Sequence, residues 1–318
     1  MEKLVYLDAN TIPPTHPLIR PNIEHEWIEY QSTRPEELVE RCRDATIITT
    51  NKCKLTRDVL SQLPKLKLIA ELATGYNNID VDYCKQKGIA VATIQGYSTK
   101  SVAEHTLTMM LMLSRSMIKC RRAMENRNWV NAQSFNLLPG PLIDLDGKTL
   151  TIIGSGHIGS RIAEIAMPFG MNVVKAEHRG AESVRDGYTA FEDAIARADY
   201  ISCNCPLTKQ TTNLITAKEI ATMKKTVYII NNARGGVINE QDLVDAVVQG
   251  RIAGAATDVA SSEPLTPEHP FVKVLDLENF IITPHQAWMS EASLEDFCRQ
   301  FAENIEAFFK GEMLRRIV

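Results

Sequence analysis

The chain has 318 residues, 44% of them hydrophobic and 23% charged, as in ordinary globular proteins. That length exceeds one typical core, so two domains are expected. A net charge of −4 with no basic block excludes nucleic-acid binders that need a cationic face.

The longest apolar stretch, 107–113, falls far short of the roughly 20 residues a membrane span requires. The opening MEKLVYLDAN lacks the layout of a secretory signal. Seven scattered cysteines, an odd number, suit free thiols in a reducing cytoplasm. Cys203 and Cys205 form a C-x-C without further ligands at metal spacing, so no metal site is expected.

The first strand is expected at 4–7, and Pro13, Pro14, Pro17 and Pro21 keep a helix from following at once. A helix at 35–42, strands at 45–49 and 66–72, a helix at 81–87 stopped by Gly88, and a strand at 89–92 follow. That alternation predicts a parallel sheet, in a unit that ends near Gly96. One long helix is expected from Ser101 to about Ala123. Its apolar residues, among them Val102, Leu107, Met110 and Leu113, surround most of the axis. Residues 127–146 show little periodicity and read as an arm that packs on a second copy, giving a homodimer.

Beyond the arm, strands are expected at 150–153, 173–176, 200–203, 226–230, 253–256 and 280–282. Helices are expected at 191–198, 217–225 and 240–249. The last helix, about 291–310, is expected to return to the first unit.

The stretch LTIIGSGHIGSRIAEIA at 150–166 organises this second half. An apolar run enters Gly154-Ser155-Gly156-His157-Ile158-Gly159, and apolar residues then recur at helical spacing. Strand, glycine turn and helix together give G-x-G-x-x-G its meaning as a dinucleotide fingerprint. Gly154 permits the turn, Gly156 lets backbone approach a pyrophosphate, and Gly159 lets the helix pack on the strand. Glu177 lies 18 positions beyond Gly159, where a carboxylate grips the ribose hydroxyls of NAD.

Ligands in an open parallel sheet sit at the carboxyl ends of the strands. The expected strands there lead into Ala233-Arg234, into Asp258 and then Glu263, and into His285. An arginine can hold a keto-acid carboxylate bidentately, and a histidine can pass a proton to the forming alkoxide. A glutamate beside that histidine favours imidazolium. The catalytic expectation is therefore Arg234, Glu263 and His285.

NNARGG with Arg234, DVASSEPL with Glu263 and TPHQAW with His285 resemble the three signatures of the D-isomer-specific 2-hydroxyacid dehydrogenases. The resemblance covers nearly the whole chain. Asn51-Lys52, GYNNID and the segments 97–99, 101–106 and 287–288 are most similar to glycerate dehydrogenases and hydroxypyruvate reductases. The resemblance implies two doubly wound parallel-sheet α/β domains. A Rossmann-like NAD domain, 99–287, is inserted in a flavodoxin-like substrate domain, 1–98 and 288–318. It makes Arg234 the substrate arginine, His285 the acid/base and Glu263 its partner. It brings the backbone amides of Thr74 and Gly75 to the substrate carboxylate, with Asn51 and Lys52 beside them. Val102, Thr106, Cys205, Pro206, Ala233 and Asp258 line the cofactor with Gly154, Gly156, His157, Ile158, Gly159 and Glu177.

Three positions depart from the family pattern. Asn204 stands where many members have histidine, Asn239 replaces an aspartate, and Glu177 stands for the usual ribose aspartate. Glu177 favours NAD over NADP, although His178 and Arg179 offer cations to a 2′-phosphate. Lys52 is the only evident cation on the substrate side, so an unphosphorylated acid is expected. Hydroxypyruvate, reduced to D-glycerate, is the first choice, with glyoxylate beside it. The competing reading is a dinucleotide-sensing protein of corepressor type without turnover.

Overall fold

Every pairing between named strands in the computed structural model is parallel, and the structure describes residues 1–318. The chain divides into two units, Met1–Ser98 with Ser290–Val318, and Thr99–Met289.

The first unit opens with β1 (Glu2–Tyr6), β2 (His25–Glu29), α1 (Leu38–Cys42), β3 (Ile47–Thr50), α2 (Arg57–Leu60), β4 (Leu68–Glu71), α3 (Val81–Lys87) and β5 (Ala90–Ala92). Its sheet runs β2-β1-β3-β4-β5. β3 and β4 are buried at every position, as the central strands of a parallel sheet covered on both faces must be. The edge strand β5 is buried because residues 317–318 pair with it, the Ile317 amide donating to Val91 O at 2.7 Å. α3 starts where the Asp80 carboxylate accepts from the Tyr83 amide at 2.8 Å, and stops at left-handed Gly88.

The HEWIE sequence of β2 carries no strand signal. It pairs at the sheet edge, where its glutamates reach solvent and Trp27 meets Tyr6 edge to face at 6.3 Å.

The second unit contains α4 (Thr99–Ser114), α5 (Met117–Glu125), β6 (Thr149–Ile153), α6 (His157–Ala166), β7 (Asn172–Ala176), α7 (Phe191–Ala196), β8 (Tyr200–Cys203), α8 (Ala217–Ile220), β9 (Tyr228–Asn231), α9 (Glu240–Val248), β10 (Gly254–Thr257) and β11 (Phe280–Ile282). Its sheet runs β11-β10-β9-β8-β6-β7. The chain leaves β6 for β7 on one side and resumes at β8 on the other. The carboxyl ends of β6 and β8 therefore form the switch point at which such sheets bind ligands. Side chains alternate between two apolar layers. Leu150, Ile152, Tyr200 and Ile230 pack with α4 and α6, while Ile153, Ile201 and Ile229 pack with α7 and α9.

Four expected helices differ in extent: α1 starts at Leu38 rather than at 35 and α7 ends at Ala196 rather than at 198, and the other two differ more. The long helix is broken into α4 and α5 at Arg115–Ser116, because Ser116 takes a left-handed φ of +50°. Its hydroxyl donates to the Pro141 carbonyl at 2.7 Å, and the Ile143 amide donates to Ser114 O at 2.8 Å. Returning chain thus takes backbone groups that a continuous helix would use. α8 ends at Ile220 rather than near residue 225. Residues 127–146 contain neither helix nor strand and expose Val130, Phe135 and Leu138.

α10 (Glu291–Phe309) closes the first unit. Its Asn304 amide donates to Thr93 O at 2.9 Å, and its Phe301 meets Trp27 at 6.1 Å. No helix is long and apolar enough to cross a membrane.

Candidate active site

The turn after β6 is shaped by its glycines. Gly154 has φ +90°, and a Cβ there would come within 2.7 Å of the Asn204–Cys205 backbone. A Cβ on Gly159 would lie 2.1 Å from the Gly154 carbonyl oxygen, whereas Gly156 has open space to 4 Å. Gly156 is the N-cap of α6, and no side chain caps it. The helix thus begins with unfilled amides beside a cleared surface, which fits a pyrophosphate. Asn204 and Cys205 follow β8, where the main-chain amide of Asn204 donates to Ile153 O at 2.7 Å. Pro206 is exposed just beyond.

Three further loops leave the same end of the sheet. After β9, buried Asn231 ties its loop from both directions. Its side-chain oxygen accepts from the Ala233 amide at 3.1 Å and its amide donates to Arg234 O at 2.9 Å. The exposed Arg234 side chain donates to Ala233 O at 2.8 Å. The Thr106 hydroxyl accepts from the Asn232 amide at 2.9 Å and donates to Val102 O at 2.8 Å, joining α4 to this loop.

After β11 the chain enters His285, which takes a left-handed φ of +53°. A non-glycine residue there is strained and needs local bonds to hold it. The His285 amide donates to Asp258 O at 2.9 Å. The Asp258 carboxylate is buried and accepts from the Thr283 hydroxyl at 2.5 Å, the Gln286 amide at 2.9 Å and the Ala287 amide at 2.8 Å. Asp258 at the end of β10 thereby holds the histidine turn, a role the sequence reading did not give it.

The imidazole Nδ1 of His285 is 2.6 Å from Glu263 Oε2, with both side chains 31% exposed. A carboxylate only accepts, so Nδ1 carries the hydrogen and Nε2 remains for proton exchange. Glu263 Oε1 accepts from the Ala260 amide at 2.9 Å.

Gly235 joins the arginine and glutamate loops, since a Cβ on it would lie 2.0 Å from the Ala260 carbonyl carbon. A second tie was invisible in the sequence. Glu240 of α9 accepts from the Ser261 amide at 2.7 Å and hydroxyl at 2.5 Å, and its Oε2 lies 2.9 Å from buried His269 Nε2. His105 bonds Thr283 Oγ1 at 3.0 Å, and burial lowers its pKa.

The expected substrate residues Asn51, Lys52, Thr74 and Gly75 belong to the first unit. Asn51 and Lys52 follow β3, and their amides donate to the buried Asp8 carboxylate, at 3.0 and 2.7 Å to Oδ2. Thr74 and Gly75 follow β4, with the Thr74 hydroxyl donating to Ile94 O at 2.7 Å.

Two parallel α/β units, one bearing a glycine turn at its switch point and a histidine–glutamate pair on the same rim, define a dinucleotide-dependent oxidoreductase. The family profile described as D-isomer specific 2-hydroxyacid dehydrogenase, NAD binding domain, matches residues 107–287. A Haemophilus influenzae protein carrying the provisional name 2-hydroxyacid dehydrogenase is 39% identical over 307 residues, 96% of this chain and 98% of its own. The glycerate dehydrogenase of Methylorubrum extorquens is 36% identical over 313 residues, 98% of this chain and 97% of its own. The crystal structure of D-lactate dehydrogenase from Aquifex aeolicus with NAD and lactic acid has a TM-score of 0.80 and 29% identity. That match covers 98% of this chain and 96% of the other. The chain belongs to the D-isomer specific 2-hydroxyacid dehydrogenase family. Its reaction is hydride transfer between a nicotinamide dinucleotide and a 2-hydroxy or 2-keto acid. Nothing among these relatives favours the sensing alternative.

Proposed function

We propose that the chain reduces hydroxypyruvate to D-glycerate with NADH, and glyoxylate to glycolate at the same site. The observation that carries this reading is the His285–Glu263 pair at 2.6 Å, on the rim that also bears Arg234. The similarity to a glycerate dehydrogenase supports the substrate, and the NAD-bound D-lactate dehydrogenase supports the cofactor.

The nicotinamide, when bound, supplies or accepts the hydride. Arg234 grips the keto acid with its forked N–H groups and polarises the carbonyl. His285 Nε2 gives its proton to the carbonyl oxygen as the carbon is reduced, and takes it back in the reverse direction. Glu263 fixes the ring through Nδ1 and stabilises the imidazolium. In the first unit we assign substrate contacts to Asn51, Lys52 and the amides of Thr74 and Gly75, which makes 1–98 and 288–318 the substrate domain. The dinucleotide lies along Gly154, Gly156, His157, Ile158 and Gly159, with Glu177 at its ribose. Val102 and Thr106 line its nicotinamide site, and Cys205, Pro206, Ala233 and Asp258 are further cofactor residues of the NAD domain, 99–287.

We also read the chain as a cytoplasmic homodimer. Its seven thiols are all free, and its arm leaves Phe135 88% exposed, an apolar surface suited to a second copy. The test is NADH oxidation with hydroxypyruvate, glyoxylate, pyruvate and phosphohydroxypyruvate, with sedimentation for the assembly. Highest kcat/KM on hydroxypyruvate is expected; turnover confined to pyruvate or to the phosphorylated acid would overturn the substrate.

A further inference from the structure

The ribose carboxylate of the expected NAD site is already occupied by the protein itself. Glu177 follows β7 and is 4% exposed. Its Oε1 accepts from the His178 amide at 2.8 Å and from Arg185 Nη2 at 2.7 Å. Its Oε2 accepts from Arg185 Nε at 2.7 Å and from the Arg185 amide at 3.1 Å. A carboxylate offers about four lone-pair positions, and these four donors fill them, with the His178 ring Nδ1 also 3.0 Å from Oε1. Those bonds, the Arg185 side chain first among them, hold the carboxyl at a pKa of about 2, so it stays ionised.

Arg185 is itself mounted. Its guanidinium lies 4.0 Å from the centroid of the Tyr188 ring, and the Tyr188 hydroxyl is 2.5 Å from Ser155 Oγ in the glycine turn. A continuous path of contacts, Glu177–Arg185–Tyr188–Ser155, thus links the ribose position to the pyrophosphate turn. Arg185 has five side-chain N–H groups and spends two on Glu177. The other three, on Nη1 and Nη2, bond to nothing in the protein, and the side chain is 52% exposed. Arg179, the cation that the sequence offers to a 2′-phosphate, turns its Nη1 away from Glu177. It donates to Leu214 O at 3.0 Å and meets Glu219 at 3.4 Å.

A bare carboxylate repels a 2′-phosphate, but a carboxylate cancelled by a guanidinium with a free N–H edge attracts one. We propose that Arg185 sets the cofactor choice of this chain, filling Glu177 and turning unused N–H groups to the 2′-phosphate, so that NADPH is accepted beside NADH. The proposal rests on the dinucleotide reading of the glycine turn. It names a residue from the following loop rather than one adjoining the strand.

The test is fluorescence titration of NADH and NADPH, which needs no turnover, on the wild type and on Arg185→Ala, Arg185→Gln and the double variant Glu177→Gln/Arg185→Ala. The wild type should bind the two cofactors within about tenfold of each other. Arg185→Ala and Arg185→Gln bare an ionised Glu177, so the Kd ratio of NADPH to NADH should widen at least about tenfold. The double variant removes that charge and should narrow the ratio again, which loss of loop structure would not do. NADH binding with an unchanged ratio in both single variants overturns the role of Arg185, as does a wild type that excludes NADPH. A wild type that binds neither cofactor overturns the dinucleotide reading and the proposal with it.

Discussion

His285 Nδ1 lies 2.6 Å from Glu263 Oε2, across 22 positions of sequence. The contact fixes the tautomer and leaves Nε2 to handle the substrate proton. His285→Ala should lower kcat at least about 100-fold while leaving the NADH Kd near that of the wild type. Unchanged turnover in steady-state assays would remove His285 as the acid. Glu263→Gln keeps an acceptor for Nδ1 but loses its charge, so a smaller fall, about tenfold in kcat, is expected. A Gln variant as impaired as His285→Ala would point to a further task for the carboxylate.

Arg234 is presented by a loop that Asn231 braces from both sides. Its value to a keto acid is the planar fork, which places two N–H groups on one carboxylate. Arg234→Lys keeps the charge and loses the fork. kcat/KM for hydroxypyruvate should fall at least about 100-fold, with KM carrying much of the loss. Wild-type kcat/KM in that variant would refute the substrate role.

The strand–glycine–helix unit at 149–166 was legible because all its determinants are local: an apolar run, a turn only glycine can make, and helical spacing. The placement of Arg234, Glu263 and His285 on one rim was legible because strand ends in a parallel sheet converge. What escaped depends on partners remote in sequence. Trp27 gives β2 a place only once Tyr6 and Phe301 surround it. The break at Ser116 follows from bonds to Pro141 and Ile143 that no helical period encodes. Arg185 reads as an ordinary loop cation until Glu177 is seen beneath it.

Glu240, Ser261 and His269 hold the loop that carries Glu263. His269 Nδ1 accepts from the Phe271 amide at 3.2 Å, so Nε2 bears the hydrogen and donates to Glu240. Both His269 and Ser261 donate to the same carboxylate, which makes the cluster a brace rather than a nucleophile and base. His269→Ala should leave the NADH Kd within about twofold and lower kcat about 10- to 100-fold, because a small displacement of Glu263 reaches His285. Equal losses in cofactor affinity and kcat would mean that the variant disturbs the whole domain instead.

Glu71 at the end of β4 is 1% exposed, and its Oε1 has no hydrogen-bond partner. Burial pushes its pKa well above the ordinary value of 4.5. The Asn78 amide at 3.1 Å and the Lys52 charge pull the other way, while Asp8 adds to the rise. Above pH 4.5 the unfolded chain releases this proton and the folded chain keeps it. The unfolded state therefore binds fewer protons, and the contribution to stability falls as pH rises through that window. Glu71→Gln keeps an acceptor for Asn78 and has no proton to lose. Its urea midpoint should match the wild type near pH 4.5 and exceed it at pH 8. The gain should accumulate at roughly 1.4 kcal/mol for each pH unit over which only the unfolded chain is ionised. A constant difference between the two proteins at both pH values would show that Glu71 ionises in the folded state without penalty.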